Sequence, residues 1–148
     1  VMLHMGRGMQ RIRLERLIAP GFLTVMGGTS SITPIWRGAM GKVLLAQLPE
    51  TEVEDILKHV TLRPLTPRTI TDKEVLRRDV YEAKRKGYAV SFGETEQNVG
   101  AMAVPIGGYH YPLTLSIVCL EERLSYHMVE WLPQLRAAAE RIADELKK

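Results

Sequence analysis

An α+β domain with a mainly antiparallel sheet is the fold class this sequence predicts. Three observations carry that reading. Leu113–Leu120 alternates Leu113, Leu115, Ile117 and Cys119 against Thr114, Ser116 and Val118, the period of a strand. Residues 71–87 open with helix-start residues and close with helix-stop residues. From Met128 onward, Leu132, Leu135, Ala139, Ile142 and Leu146 follow at steps of three and four, one apolar stripe along a final helix. Helices are thus spread among about five or six strands, several of them joined as hairpins.

The chain has 148 residues, enough for one domain with one sizeable core. Hydrophobic residues make up 45% and charged residues 25%, the proportions of an ordinary globular domain. No apolar run is long enough to cross a membrane, and no basic-then-apolar signal pattern opens the chain. No membrane partner is therefore expected. The lone cysteine, Cys119, excludes an internal disulfide framework and fits a reducing cytoplasm. Charge is uneven. Residues 1–49 hold Arg7, Arg11, Arg13, Arg16, Arg37 and Lys42 against Glu15 alone. Because Arg11 and Arg13 alternate with Ile12 and Leu14, this basic edge reads as a solvated strand face. Without interleaved aromatics or a helix-turn-helix pattern, it does not read as a nucleic-acid surface.

In chain order, Val1–Met5 reads as a short strand, Gly6-Arg7-Gly8 as a turn and Gln10–Ile18 as a second strand. Opening on Val1 at a strand edge suggests a piece of a longer protein. Phe22–Met26 reads as a further short strand, and Gly27–Ser31 as a loop. Pro34 keeps a helix from beginning before it, so the run Val43–Ala46 belongs to a helix that starts near Gly38 and ends by Pro49. A second helix has Thr51 as its expected cap and Val53, Ile56, Leu57 and Val60 on one face. Thr71 and Glu74 form a capping box for a third, which buries Leu76, Val80 and Ala83 and stops at Gly87. Strands follow at Tyr88–Phe92 and Ala101–Ile106, with Pro105 marking an edge or bulge. Ser125 is the expected cap of the last helix, which Pro133 should kink.

The stretch Trp36–Ala46 is the most informative for function. A helix start offers free N–H groups and partial positive charge to a small anion, and Arg37 would add a full charge beside it. The competing view is that Gly38 and Gly41 only let this helix pack closely on the sheet. Catalytic constellations are missing. His4, His59, His110 and His127 lack metal-ligand spacing and read as surface or half-buried residues. Cys119 has no CxxC partner and sits at the apolar parity of its strand. Glu94 and Glu96 alternate in a loop, weak grounds for a carboxylate pair. No metal, cofactor or enzymatic activity is expected.

Taken together, Gly38–Ala46 with Leu48-Pro49, Thr66–Thr71, Lys86–Ala89, Val99–Pro105, Thr114–Val118 and Arg123-Leu124 resemble the effector-binding domain of the IclR family of bacterial transcriptional regulators. The resemblance implies a GAF-like domain, a curved antiparallel sheet with helices packed on it and a pocket at one end. It implies a sensor for a small metabolite that forms homodimers or homotetramers and meets DNA only through an N-terminal winged helix-turn-helix outside this chain. By the resemblance, the effector pocket falls on the helix start at Arg37, Gly38, Ala39 and Met40, and on Ser91, Ala101, Ser116 and Val118. A carboxylic acid with hydrophobic or aromatic bulk is the expected effector. The chain departs from the family pattern at Ser91, at Gly93 and at Asn98, where asparagine can supply the left-handed backbone of the usual glycine. The alternatives are a stand-alone enzyme on this scaffold and a structural oligomerisation domain with no ligand.

Overall fold

The computed structural model describes residues 1–20 and 30–148. The strand expected at Phe22–Met26 and the loop residues Gly27, Gly28 and Thr29 lie outside the described residues. Among the described residues six strands build one antiparallel sheet: β1 (Met2–Arg7), β2 (Gln10–Arg16), β3 (Ile32–Pro34), β4 (Ala89–Phe92), β5 (Val99–Ile106) and β6 (Leu113–Leu120). Their order across the sheet is β3-β2-β1-β6-β5-β4. Four helices among the same residues complete the α+β fold: α1 (Gly38–Ala46), α2 (Glu50–His59), α3 (Lys73–Lys86) and α4 (Glu121–Leu146).

Helices cover both faces of the sheet. Strand side chains alternate between faces, so each strand feeds two layers. Met102, Val104, Ile106, Leu113 and Leu115 pack with Leu124, Leu135 and Ala139 of α4. Their neighbours Ala89, Ala101 and Ala103 face Ala39, Met40 and Val43 of α1. The small residues of this second layer bring α1 close to the sheet. Thr114 and Ser116, at the polar parity of β6, are also fully buried. The Thr114 hydroxyl donates to the Val104 carbonyl at 2.8 Å, and that of Ser116 to the Met2 carbonyl at 3.3 Å. Behind α1, Ile35, Leu44, Leu45, Ile56, Leu57 and Leu76 close a third cluster with α2 and α3.

Several local expectations shift by a few residues. The first turn is Gly8-Met9, so β1 runs on to Arg7 and pairs Arg7 with Gln10. Thr51 does not cap α2. That helix begins at Glu50, where the Pro49 carbonyl already accepts from Val53 N–H at 3.1 Å. Asp72, not Thr71, caps α3: its carboxylate accepts from Glu74 N–H at 2.8 Å and adds negative charge at the helix start. Ser125 lies inside α4, which starts directly after β6 with Glu121 N–H on the Asn98 carbonyl at 2.8 Å. Pro133 is inside the same helical element. Pro105 lies past the end of β4 and pairs only with Thr114, so its missing N–H leaves no gap in that ladder. Asn98 does adopt the left-handed backbone, with φ of 64°.

Candidate functional site

The start of α1 is built by two glycines with different tasks. Gly38 has φ of +64°, a conformation strained for other residues, and turns the chain into the helix. Gly41 packs one turn later against backbone: a Cβ there would lie 2.4 Å from the Trp36 carbonyl carbon and 2.5 Å from the Ile35 carbonyl oxygen. The close approach at Gly41 is thus to the chain entering the helix, at Ile35 and Trp36, rather than to the sheet. The first bond inside the helix runs from Gly41 N–H to the Arg37 carbonyl at 3.1 Å. The N–H groups of Gly38, Ala39 and Met40 precede it and have no partner within the helix.

A cavity of about 280 Å³ opens beside this helix start. The β1–β2 hairpin supplies His4, Arg11 and Arg13, while the helix start supplies Arg37, Gly38 and Met40. Ser91, Ala101 and Val118 come from the opposite half of the sheet, and Thr95 and Glu96 from the loop after β4. Of the residues expected from sequence, Arg37, Gly38, Met40, Ser91, Ala101 and Val118 meet on this wall. Ala39 does not; it packs, fully buried, among Ala83, Ala89 and Ala103. Ser116 is likewise buried in the sheet and turned to the Met2 carbonyl.

The hairpin contribution is not read from the sequence. Arg11 and Arg13 pair across the ladder with Gly6 and His4, the face of β1 that looks at α1. They line the cavity, whereas Leu14 is exposed, the reverse of the solvated-arginine expectation. The signal that could have found them is the hairpin register: counting back from the Gly8-Met9 turn puts Arg11 opposite Gly6. Arg11 is only 7% exposed. Its Nη1 donates to the Arg37 carbonyl at 2.7 Å, and its Nε has no partner among the described residues. Among those residues no carboxylate forms an ion pair with it. Burial, and then the charge of Arg37, push its guanidinium down to about 10. His4 is also buried, beyond the surface or half-buried position expected, with Nδ1 unpartnered among the described residues. Burial first, then the charges of Arg11 and Arg13, push its imidazole down to about 3, so it is neutral near pH 7. The cavity is a positively charged chamber with two buried polar nitrogens unsatisfied by the described residues.

Charge is handled differently one helical turn further on. Lys42 Nζ is buried and meets Glu94 at 2.6 Å and Asp79 at 3.3 Å, joining α1 to α3 and to the loop after β4. That loop is further pinned by Thr66 and Thr69, whose hydroxyls donate to the Gly93 and Glu94 carbonyls at 2.5 and 2.7 Å. Glu94 is thus a structural counter-ion rather than half of a carboxylate pair.

The family described as "Bacterial transcriptional regulator IclR C-terminal" matches residues 5–144. The chain belongs to the IclR family. KipR of Bacillus subtilis (strain 168), an HTH-type transcriptional regulator, is 26% identical over 136 residues, which cover 90% of this chain and 54% of KipR. The chain thus spans about half the length of that curated relative. The crystal structure of the Thermotoga maritima IclR superposes with a TM-score of 0.89 at 27% identity, over 99% of this chain and 61% of that one. The inducer-binding domain of the Acinetobacter transcription factor PobR, a double mutant crystallised with 3-hydroxybenzoic acid, has the same fold. Its TM-score is 0.83 at 23% identity, over 96% of this chain and 86% of that one.

The relatives of this IclR domain are transcriptional regulators, not enzymes. Cys119 is half-buried against the α4 layer, and burial pushes its thiol up, away from the reactive thiolate. Among the described residues no group of three His, Cys, Asp or Glu could hold a metal ion. No helix there is long and apolar enough to cross a membrane.

Proposed function

We propose that the chain is the effector-binding and oligomerising domain of an IclR-type regulator, and that its effector is a small carboxylic acid. One observation carries the reading: Arg11 is a buried cation on a cavity wall with no carboxylate partner and an unsatisfied Nε among the described residues. A buried charge without a counter-ion is costly, and a bound carboxylate would remove that cost. The three leading N–H groups of α1 and the Arg37 guanidinium would add donors to the same anion. Charge-assisted hydrogen bonds of this kind are about twice as strong as neutral ones. Met40, Ala101 and Val118 offer the ligand an apolar side, and Ser91 a hydroxyl. A hydrophobic or aromatic acid suits that wall, and PobR is a protein of the same fold crystallised with an aromatic acid.

Exposed apolar residues at the β2–β3 end of the sheet, Leu14, Leu17, Ile18 and Ile32, support self-association. In this reading the bound acid changes operator binding by a separate DNA-binding domain in the cytoplasm. A thermal-shift panel of organic acids tests the proposal. A ligand that binds only the folded state raises the melting temperature by mass action. The expected result is a concentration-dependent rise with at least one carboxylic acid and none with its neutral amide. Equal effects of acid and amide would refute the carboxylate reading.

A further inference from the structure

We infer that the effector of this chain is a dianion, with two acidic groups about 7 Å apart, rather than a simple monocarboxylate. The inference rests on the carboxylate reading of the same cavity. Three arginines line its wall, Arg11, Arg13 and Arg37, and among the described residues a single acidic residue, Glu96, lines it with them. Glu94, the nearest other acid in sequence, does not line the cavity and is bonded to Lys42. His4 between the arginines is neutral and adds no charge. The wall therefore carries two positive charges in excess, and a monoanion would leave one of them in place.

Spacing gives the geometry of the ligand. Arg11 and Arg13 are two residues apart on one face of β2, so their attachment points are separated by about 7 Å, two strand rises. The first acidic group would sit between Arg11 Nε and the start of α1. The second would sit at Arg13, beside His4 across the ladder. Met40, Ala101 and Val118 leave room for a short apolar linker between them. A volume of 280 Å³ is at the small end of ligand cavities (about 300–1,000 Å³) and fits a compact diacid.

Matched pairs differing by one carboxylate test this: terephthalate against benzoate, and adipate against hexanoate, by calorimetric titration of the full chain. At least one diacid should bind about tenfold or more tightly than its partner, the effect of one added charged hydrogen bond. Its affinity should fall more steeply with salt. In Arg13→Gln, at a half-buried position on β2, the ratio should collapse toward one. If that variant misfolds, a salt series on the unaltered chain decides the same question. Monoacids binding as tightly as diacids would overturn the inference while sparing the carboxylate reading. Binding by neither class would overturn both.

Discussion

Two buried cations, Lys42 within α1 and Arg11 bonded to the Arg37 carbonyl before it, differ in one respect. Lys42 has two carboxylates within 3.3 Å; Arg11 has none among the described residues and leaves Nε without a partner there. Burying a charge is costly unless it is paired and hydrogen-bonded. Lys42 obeys that rule within the chain, and its role is to join α1, α3 and the loop after β4. Among the described residues nothing completes the pairing of Arg11. The contrast separates a structural ion cluster from a binding site where burial alone could not.

The comparison can be broken from either side. Lys42→Met would leave Asp79 and Glu94 facing each other without their shared cation. Loss of one partner from a buried pair costs about 3–5 kcal/mol, so urea unfolding should find Lys42→Met destabilised by that amount. A loss under about 1 kcal/mol, the range of exposed pairs, would mean that the cluster is solvated and the contrast false.

An unfolded imidazole takes a proton below about pH 6.5, whereas His4 in the folded chain takes one only near pH 3. Between those values the unfolded state binds more protons, so stability falls as pH is lowered through this window. At pH 4 the loss from this residue is about 3 kcal/mol relative to neutral pH. His4→Asn should flatten the pH dependence of unfolding between about pH 4 and 6.5. An unchanged slope would show that the chamber is more hydrated than its geometry implies.

Ala39 sharpens the boundary between site and scaffold. Its N–H belongs to the helix start, but its side chain packs among alanines under the sheet. Ala39→Leu should therefore overpack that layer and cost about 1–3 kcal/mol. A variant of parental stability that has lost acid binding would move Ala39 to the cavity wall.

These residues also mark how far the sequence can be read. The apolar stripes of α3 and α4, the strand period of β6 and the family resemblance lead to the α+β fold and to most of one cavity wall. The expected caps miss because Thr51, Thr71 and Ser125 each stand near a better solution: the Pro49 carbonyl, the Asp72 carboxylate or a helix continuous with β6. The β1–β2 wall escapes for a different reason. Alternation fixes that Arg11 and Arg13 share a face, but not which face, and burial of arginine runs against the usual pattern. Only the register set by the Gly8-Met9 turn and the approach of α1 decide it. The resemblance puts Ser116 on the same face of β6 as Val118, yet its hydroxyl is committed to the Met2 carbonyl.

Whether Arg11 is held ready for an external anion is decided by Arg11→Met, measured for unfolding and for acid binding on the same preparation. The substitution removes a buried charge that has no ion-pair partner among the described residues while keeping a long apolar stem, and the Arg37 carbonyl retains its bond from Gly41 N–H. Replacing buried ionic groups with apolar ones is often neutral or stabilising. The unliganded variant should therefore be as stable as the parent or more so, by about 0–2 kcal/mol, and should lose the acid-induced rise in melting temperature. A strongly destabilised variant, or one that still binds the acid with parental affinity, would contradict the assignment of Arg11 as a cation held ready for an external anion.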